Sequence, residues 1–278
     1  MAVEGVNKIS AAVLVLAGIG LGACGSTTTA SNPVTNPSNA TPQAADLRVV
    51  RVFESGVDDE DGVAIGTKAD GHSVALYSFY VEDYAALANG GTEVGLLSVD
   101  EDSLHPMRRL NASATLYEGI ATIDRVRHDV RLITEDEEEA FLYAYIDPDF
   151  NIALVAEGLP LDGVPSGLHT YTGTLYVFSN NASNYGNFTL NADFSAETFT
   201  MTAATADATV SMTASGVIDK VAGTIGSSTA TFTRSTVAGT GAIYGNLHGD
   251  RAGSVSGIFH ARDTGTTVNY TGGFVGSR

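Results

Sequence analysis

Short runs rich in Thr, Val, Phe and Tyr recur from Gly167 to Arg278, separated at nearly regular intervals by Gly, Asn, Asp and Ser. Within 187–194 apolar and polar residues alternate strictly, which predicts a strand with one buried face. We count about eight such runs, with 267–276 as the last strand or in place of a weaker run: 168–178, 186–194, 197–204, 208–217, 220–226, 229–236, 240–247 and 253–261.

A meander of this many strands, with no helical pattern between them, would leave two strand edges open, and closure into a barrel removes both. The final run is therefore expected to pair with the first, 168–178. Its interior face is predicted to carry Val268, Tyr270, Gly272 and Phe274, and its outward face Asn269, Thr271, Gly273 and Val275. The sequence thus predicts an all-β chain with a C-terminal eight-stranded antiparallel up-and-down β-barrel.

The residues before this barrel differ from it in charge. Residues 46–162 hold 25 acidic and 8 basic residues, a net charge of −17, whereas residues 163–278 hold 6 and 5, a net charge of −1. The charge shift and the Gly- and Pro-containing stretch 158–167 predict a domain boundary there. Such an acidic chain, with a pI near 4.4 and no basic stripe, is not expected to bind nucleic acid.

The acidic domain, 46–162, is also predicted to be rich in strands, with one short helix at 82–88. Its expected strands are 47–53, 73–81, 93–99, 112–117, 119–125, 129–134, 140–146 and 151–157.

The N-terminus is typical of an exported lipoprotein. Lys8 precedes an apolar run too short to span a bilayer comfortably, and the run ends in Leu21-Gly22-Ala23-Cys24. This ending resembles the lipobox of bacterial lipoproteins, which implies a signal peptide at 1–23 and acylation of Cys24, the only cysteine in the chain. Translation begins at Met1 or at Val6. A Ser/Thr/Asn/Pro-rich stretch, 24–45, is predicted to be a flexible tether.

Several short sequence segments in the last part of the chain resemble the C-terminal barrel of transferrin-binding-protein-B-like surface lipoproteins, which include the factor H-binding lipoprotein. They are Tyr171-Thr172-Gly173, 192–195, 241–245, 250–259 and 273–278, although Ile243 and Ser254 depart from the family pattern. The resemblance covers roughly residues 168–278. It implies that 163–278 is the barrel and that 46–162 is a handle-like domain beside it. It also implies attachment to the outer membrane, which Gly25 after the cysteine favours by resemblance to enterobacterial sorting rules.

A search for catalytic and metal-binding patterns gives little. The run 58–62 lacks two oxygen ligands of a calcium loop and is predicted to be a solvated acidic turn. The six histidines show no zinc spacing and are expected on the surface or on strands. No nucleophile elbow is present, so we predict no enzymatic activity and no cofactor.

One candidate ligand patch remains. The acidic run Glu135, Asp136, Glu137, Glu138 and Glu139 is expected to be an exposed loop, and its functional alternative is a patch for a basic partner or a divalent cation. His169 and Tyr171 lie two residues apart on one predicted strand and so share a face, which would suit an iron or haem contact near the barrel rim.

Two functional classes remain open. The resemblance implies a surface-anchored lipoprotein that binds a protein or an iron-carrying solute through barrel loops and the handle domain. The alternative is a structural envelope lipoprotein without a dedicated ligand.

Overall fold

A computed structural model describes residues 14–15, 43–54, 62–68, 72–78, 93–96, 103–123, 126–135, 139–179, 181–234, 237–263 and 269–278. The predicted helix 82–88, residues 58–61 of the acidic turn 58–62, and Cys24 lie outside these residues, while Gly62 begins strand β3. Within them the chain is built from β-strands in two sheets, which confirms the all-β prediction. None of the residues described belongs to a helix long and apolar enough to cross a bilayer.

The first sheet has ten antiparallel strands in the order β1-β5-β2-β3-β4-β10-β9-β8-β7-β6. They are β1 Leu14–Val15, β2 Gln43–Glu54, β3 Gly62–Lys68, β4 Ser73–Ser78, β5 Glu93–Leu96, β6 His105–Arg109, β7 Ala114–Ile123, β8 Val126–Glu135, β9 Ala140–Ile146 and β10 Ile152–Gly158. Strands β3 and β6 were not predicted from the sequence. Strand β1 falls within the predicted signal peptide, and β2 includes the last three residues of the predicted tether.

Strand β7 corrects one prediction, because the expected runs 112–117 and 119–125 form one continuous strand across Gly119. A Cβ atom at Gly119 would lie 2.8 Å from Leu104 Cδ2 and 2.9 Å from Ser103 Oγ. The glycine therefore marks a close approach of neighbouring chain rather than a turn.

The second sheet is the closed barrel, with each strand paired to the next and β18 paired to β11. Its strands are β11 Leu168–Ser179, β12 Ala182–Asp193, β13 Thr198–Thr205, β14 Val210–Asp219, β15 Thr224–Arg234, β16 Val237–His248, β17 Ser254–Asp263 and β18 Asn269–Ser277. Closure between the first and last strands is as predicted. The runs 220–226 and 229–236 are not separate strands, because residues 224–226 and 229–234 both belong to β15 and are joined across a register shift between Ser227 and Ala230.

The barrel interior is filled by side chains that alternate with mostly exposed ones along β13 and β14. Tyr270 and Phe274 of β18 are buried there as predicted, and the Phe274 ring packs edge-on against Phe188 at 5.2 Å. The Tyr171 hydroxyl, also inside, donates to the Ala252 carbonyl at 2.7 Å.

The ten-stranded sheet packs against the outside of the barrel and forms a second apolar core with it. The barrel contributes Tyr176, Phe178, Tyr244, Ile258 and Val275, and the sheet contributes Leu142, Ile146, Leu154 and others from β4 and β7–β10. Val275 was predicted to face outward, and it does leave the barrel interior, but it is fully buried beneath the sheet. Each such large side chain contributes about 1.5–3 kcal/mol when buried.

The chain between β10 and β11 also holds the two sheets together. The Asp162 amide donates to the Gly249 carbonyl at 2.9 Å, and the Arg251 amide donates to the Asp162 carbonyl at 2.7 Å. This connection therefore forms a short parallel bridge to the turn between β16 and β17, residues 249–253.

Candidate ligand-binding cleft

A cleft of about 300 Å³ lies where the β6–β7 hairpin of the sheet meets strand β12 and the β13–β14 turn of the barrel. The sheet lines it with Arg108, Arg109 and Leu110. The barrel lines it with residues 183–187, 206 and 207. Ligand sites commonly lie at such a junction, where two units enclose a concavity that neither forms alone.

Asn111 fixes the sheet side of the cleft. Its Oδ1 accepts hydrogen bonds from the amides of Ser113 and Ala114, both at 2.8 Å, which closes the turn of the β6–β7 hairpin. Its Nδ2 donates to Thr174 Oγ1 of β11 at 2.9 Å. One side chain thus shapes the turn and attaches it to the barrel, so the arginines that precede it are held beside β12.

Tyr185 is the central side chain of the cleft. The Arg108 guanidinium carbon lies 5.1 Å from the centre of its ring, a cation–π contact, and the Tyr176 ring lies 5.5 Å away on β11. Burial raises the pKa of the Tyr185 phenol, while the nearby Arg131 guanidinium opposes the rise. Arg131 itself forms an ion pair with Glu118.

The barrel side of the cleft is set by the β13–β14 turn. The Asp207 carboxylate accepts hydrogen bonds from Thr205 Oγ1 at 2.7 Å and from the Thr209 amide at 3.1 Å. These bonds, the Thr205 hydroxyl first, lower the pKa of the Asp207 carboxyl. The Ala206 amide donates to the Tyr185 carbonyl at 2.8 Å, which ties the turn to β12.

The electrostatics of the cleft differ from those of the whole chain. Two of its lining residues, Arg108 and Arg109, are cationic and one, Asp207, is anionic, so the lining carries a net charge of +1. The chain carries −18. The described lining residues are thus richer in basic side chains than the chain as a whole.

The sequence did not lead us to this cleft. Arg108 and Arg109 are the only two adjacent basic residues in the chain, and they fall in its acidic half. That signal could have marked the pair. Tyr185, which lies beside this pair in the cleft, belongs to the barrel, and no local sequence pattern connects the two segments.

The predicted acidic patch has a different environment from the one expected. Glu135 ends strand β8 and is buried, so the prediction of an exposed loop is wrong at this residue. Glu139 lies against Gly249 and Gly253 of the β16–β17 turn and accepts a hydrogen bond from Ser254 Oγ at 3.1 Å. It thus connects the sheet to the barrel. Asp136, Glu137 and Glu138 lie outside the described residues.

His169 and Tyr171 share one face of β11 as predicted, but their environments differ. Tyr171 is fully buried, and burial raises the pKa of its phenol to about 12. His169 is half-buried, its ring centre 5.5 Å from that of Phe194 and its Nδ1 3.2 Å from an Arg278 nitrogen. Tyr171, Glu139 and Arg278 all bond to atoms in or beside the β16–β17 turn. A ligand role for this patch stays a prediction.

Two further predicted features concern metals and the anchor. In the part of the chain that the structure describes, no three His, Cys, Asp or Glu side chains converge on a point that could hold a metal ion. Of the six histidines, His248 and His260 lie on barrel strands and are buried. Cys24 lies outside the described residues, so its acylation stays a prediction.

Comparisons with known proteins give similar solved structures only. No family model and no curated protein matches the chain. The haemoglobin receptor HpuA from Kingella denitrificans is 14% identical at a TM-score of 0.46, with 85% of this chain and 94% of that chain covered. Transferrin-binding protein B from Haemophilus parasuis Hp5 is 11% identical at a TM-score of 0.45, with 77% of this chain and 53% of that chain covered. Transferrin-binding protein B from serogroup B Neisseria meningitidis is 14% identical at a TM-score of 0.39, with 79% of this chain and 49% of that chain covered.

The chain therefore spans about half the length of the two transferrin-binding proteins. Both carry the name of the family that the C-terminal sequence resembles.

Proposed function

We propose that this chain is a surface lipoprotein, anchored in the outer membrane through acylated Cys24, that binds a protein or an iron-carrying solute between its handle-like sheet and its barrel. The observation that carries the proposal is the cleft in which Arg108 of the sheet lies over Tyr185 of the barrel. It uses one segment of the predicted handle domain together with strand β12 and the β13–β14 turn of the barrel, and the sequence resemblance implies a ligand site between these two units.

The chemistry of the cleft suits binding. The lowered pKa of Asp207 keeps its carboxylate ionised near neutral pH, and the raised pKa of Tyr185 keeps its phenol protonated. The arginines stay charged throughout. These groups offer a constant set of charges, donors and a ring face to a ligand, with none of them positioned to exchange a proton near pH 7.

The test is saturable binding by the lipidated full-length protein in the outer membrane. The probes are transferrin and haemoglobin, the partners in the names of the similar structures, and a ferric solute. Arg108→Ala should weaken binding of whichever probe is captured by about tenfold, because the residue contributes both charge and stacking. Thr231→Ala, an exposed change on β15 that does not line the cleft, is the matched control and should leave binding unchanged.

A structural envelope role predicts different results. No probe should then bind saturably, and deletion of the gene should instead make the envelope more permeable to detergents and large antibiotics. Binding that is equal in wild type and Arg108→Ala would move the ligand site away from the cleft.

A further inference from the structure

We infer that one end of the barrel rests on the lipid surface in which the protein is anchored, with exposed aliphatic side chains seated among the lipid headgroups. This end, the basal rim, consists of the connection from β10 to β11 and the turns β12–β13, β14–β15 and β16–β17, which are residues 159–167, 194–197, 220–223 and 249–253. Because the contact needs the acylated Cys24, it rests on the proposed function.

Exposed apolar side chains are concentrated at the basal rim. Val221, in the β14–β15 turn, is 80% exposed, and Leu168, the first residue of β11, is 77% exposed. Val217 and Val164 follow them, so the four most exposed large apolar side chains of the described residues all lie in the rim or within three residues of it. Isolated exposed aliphatic residues are common on soluble proteins, but their concentration at one end indicates a surface that meets an apolar environment.

The segments of the rim form one connected surface. The Phe194 amide donates to the Gly167 carbonyl at 3.0 Å, and the Leu247 amide of β16 donates to the Gly223 carbonyl at 2.7 Å. A Cβ atom on Gly223 would lie 3.1 Å from Leu161 Cδ2, so the β14–β15 turn packs on the connection from β10 to β11. The exposed aliphatic side chains are therefore presented by segments that hold each other in place.

Two turns of the rim are suited to an environment with little water, because their backbone donors are already paired. Asp219 Oδ1 accepts hydrogen bonds from the amides of Val221 and Ala222 at 3.1 and 2.9 Å. Asp193 caps the β12–β13 turn in the same way, with the amides of 195–196. Moving an unpaired amide out of water is costly, so this pairing lowers the cost of bringing both turns to the bilayer.

Attraction to anionic lipid does not account for such a contact. The rim and the residues next to it hold five carboxylates and two cationic side chains, a net charge of −3: Asp162, Asp193, Glu197, Asp219 and Asp250 against Lys220 and Arg251. Glu197 Oε1 lies 2.9 Å from Lys220 Nζ. Asp250 Oδ1 lies 3.7 Å from Arg251 Nε. Burial of the aliphatic side chains therefore has to supply the affinity, and the two ion pairs limit the opposing cost.

The anchored end of the chain enters the sheet on the side of the basal rim. Eighteen residues separate Cys24 from Gln43, where β2 begins. A flexible tether of that length, as the sequence predicts, spans about 20–25 Å on average. A row of paired residues places the first half of β2 level with Gly158, the last residue before the rim: Leu47–Lys68, Thr67–Ser73 and Ser73–Gly158. An anchor attached there brings this end of the barrel to the bilayer.

This orientation agrees with the position of the cleft. The β13–β14 turn, which contributes Asp207 to the cleft lining, lies at the opposite end of the barrel from the basal rim, because successive turns of an up-and-down barrel alternate between its two ends. The cleft then opens away from the lipid, where a soluble ligand can reach it.

The contact can be tested by fluorescence, because the chain contains no tryptophan and a single introduced one reports only on its own surroundings. The acylated full-length protein is placed in phosphatidylcholine vesicles with and without brominated acyl chains, which quench a tryptophan that reaches the bilayer. We expect Val221→Trp to lose at least about half of its fluorescence to the brominated lipid. The matched control is Val237→Trp, an exposed position where β16 begins at the opposite end of the barrel, and it should lose less than about a tenth.

A second pair of variants tests whether apolar burial is the cause. With Leu168→Trp as the reporter, Val221→Asp should reduce the quenching at least about threefold, because a carboxylate at the bilayer boundary is costly. Val237→Asp with the same reporter should leave the quenching unchanged. Near-ultraviolet circular dichroism checks that the barrel is intact in each variant.

Lipid charge separates an apolar contact from an electrostatic one. Replacing about one third of the lipid with phosphatidylglycerol should not increase the quenching of Val221→Trp, since the rim is net acidic. Quenching that rises with anionic lipid and disappears in salt would indicate a contact made by charged groups and overturn the inference.

Flotation of the same vesicles separates the two ways in which the contact can fail. Protein that does not float with the vesicles lacks the anchor, which refutes the proposed function as well as the rim contact. Protein that floats while Val221→Trp and Val237→Trp are quenched to the same degree refutes the rim contact alone. Quenching confined to the rim, without binding of transferrin, haemoglobin or a ferric solute, would support the contact and contradict only the ligand-binding part of the proposed function.

Discussion

The buried imidazole of His248 should make the folded protein sensitive to acid. The residue ends β16 beneath the sheet, and its Nε2 lies 2.8 Å from Ser256 Oγ. A Cβ atom on Gly158 would lie 2.5 Å from its Cγ, so the ring fills the space that this glycine leaves. Complete burial, more than the nearby His72, lowers the pKa of His248 from 6.5 to about 3.

The sign and size of the effect follow from this difference. Above pH 6.5 the imidazole is neutral in both the folded and the unfolded chain, so it does not make the stability depend on pH. As the pH falls below 6.5, the unfolded chain binds a proton that the folded chain excludes, so stability decreases until the pH reaches about 3. At pH 5 the loss from this group is about 2 kcal/mol.

Urea denaturation of wild type and His248→Gln at pH 7.5 and pH 5.0 isolates this contribution. The other titrating groups are common to both proteins, so most of their contribution cancels in the difference. The glutamine variant should be the less stable at pH 7.5, because it packs less well, and the wild-type advantage should shrink by about 2 kcal/mol at pH 5.0.

Ser256→Ala is the matched control for the lost hydrogen bond. It removes the partner of Nε2 but keeps the buried ring, so its pH dependence should follow that of wild type. A wild-type advantage over His248→Gln that stays constant within about 0.5 kcal/mol between the two pH values would refute the reasoning.

Three other predictions follow from the barrel, the domain boundary and the anchor. Phe274→Ala should cost about 3–5 kcal/mol, because the ring is fully buried against Phe188, and a shift in urea denaturation under about 1 kcal/mol would contradict that packing. The fragment 163–278 should fold alone with dispersed amide proton resonances, although it exposes the apolar outer face that the sheet covers; a collapsed spectrum would show that the sheet is required. Cys24→Ser should abolish labelling by a fatty-acid analogue and release the protein from the membrane, since acyl chains contribute about 0.8 kcal/mol per buried CH₂; equal labelling of both proteins would refute the anchor.

The barrel could be predicted because its signal is local. Because apolar and polar residues alternate with period two, each side chain lies inside or outside the barrel regardless of which strand its own strand pairs with. A set of such strands must either close into a barrel or leave two strand edges unpaired. Errors arose where one residue type serves two purposes. The break expected between the runs 112–117 and 119–125 is a close approach at Gly119, and the break expected between 220–226 and 229–236 is a bulge within a strand.

The sequence by itself determined which side of 187–194 and of the final strand faces the interior, since that depends only on neighbours along the chain. Tertiary structure alone decided what covers the outside: Val275 lies under the sheet, and Glu139 reaches a turn more than 100 residues away. The cleft also depends on tertiary structure alone, because Arg108 and Tyr185 come into contact only through the packing of the β6–β7 hairpin on β12. Contacts between separate segments depend on how two sheets pack, and no periodicity within either segment encodes that packing.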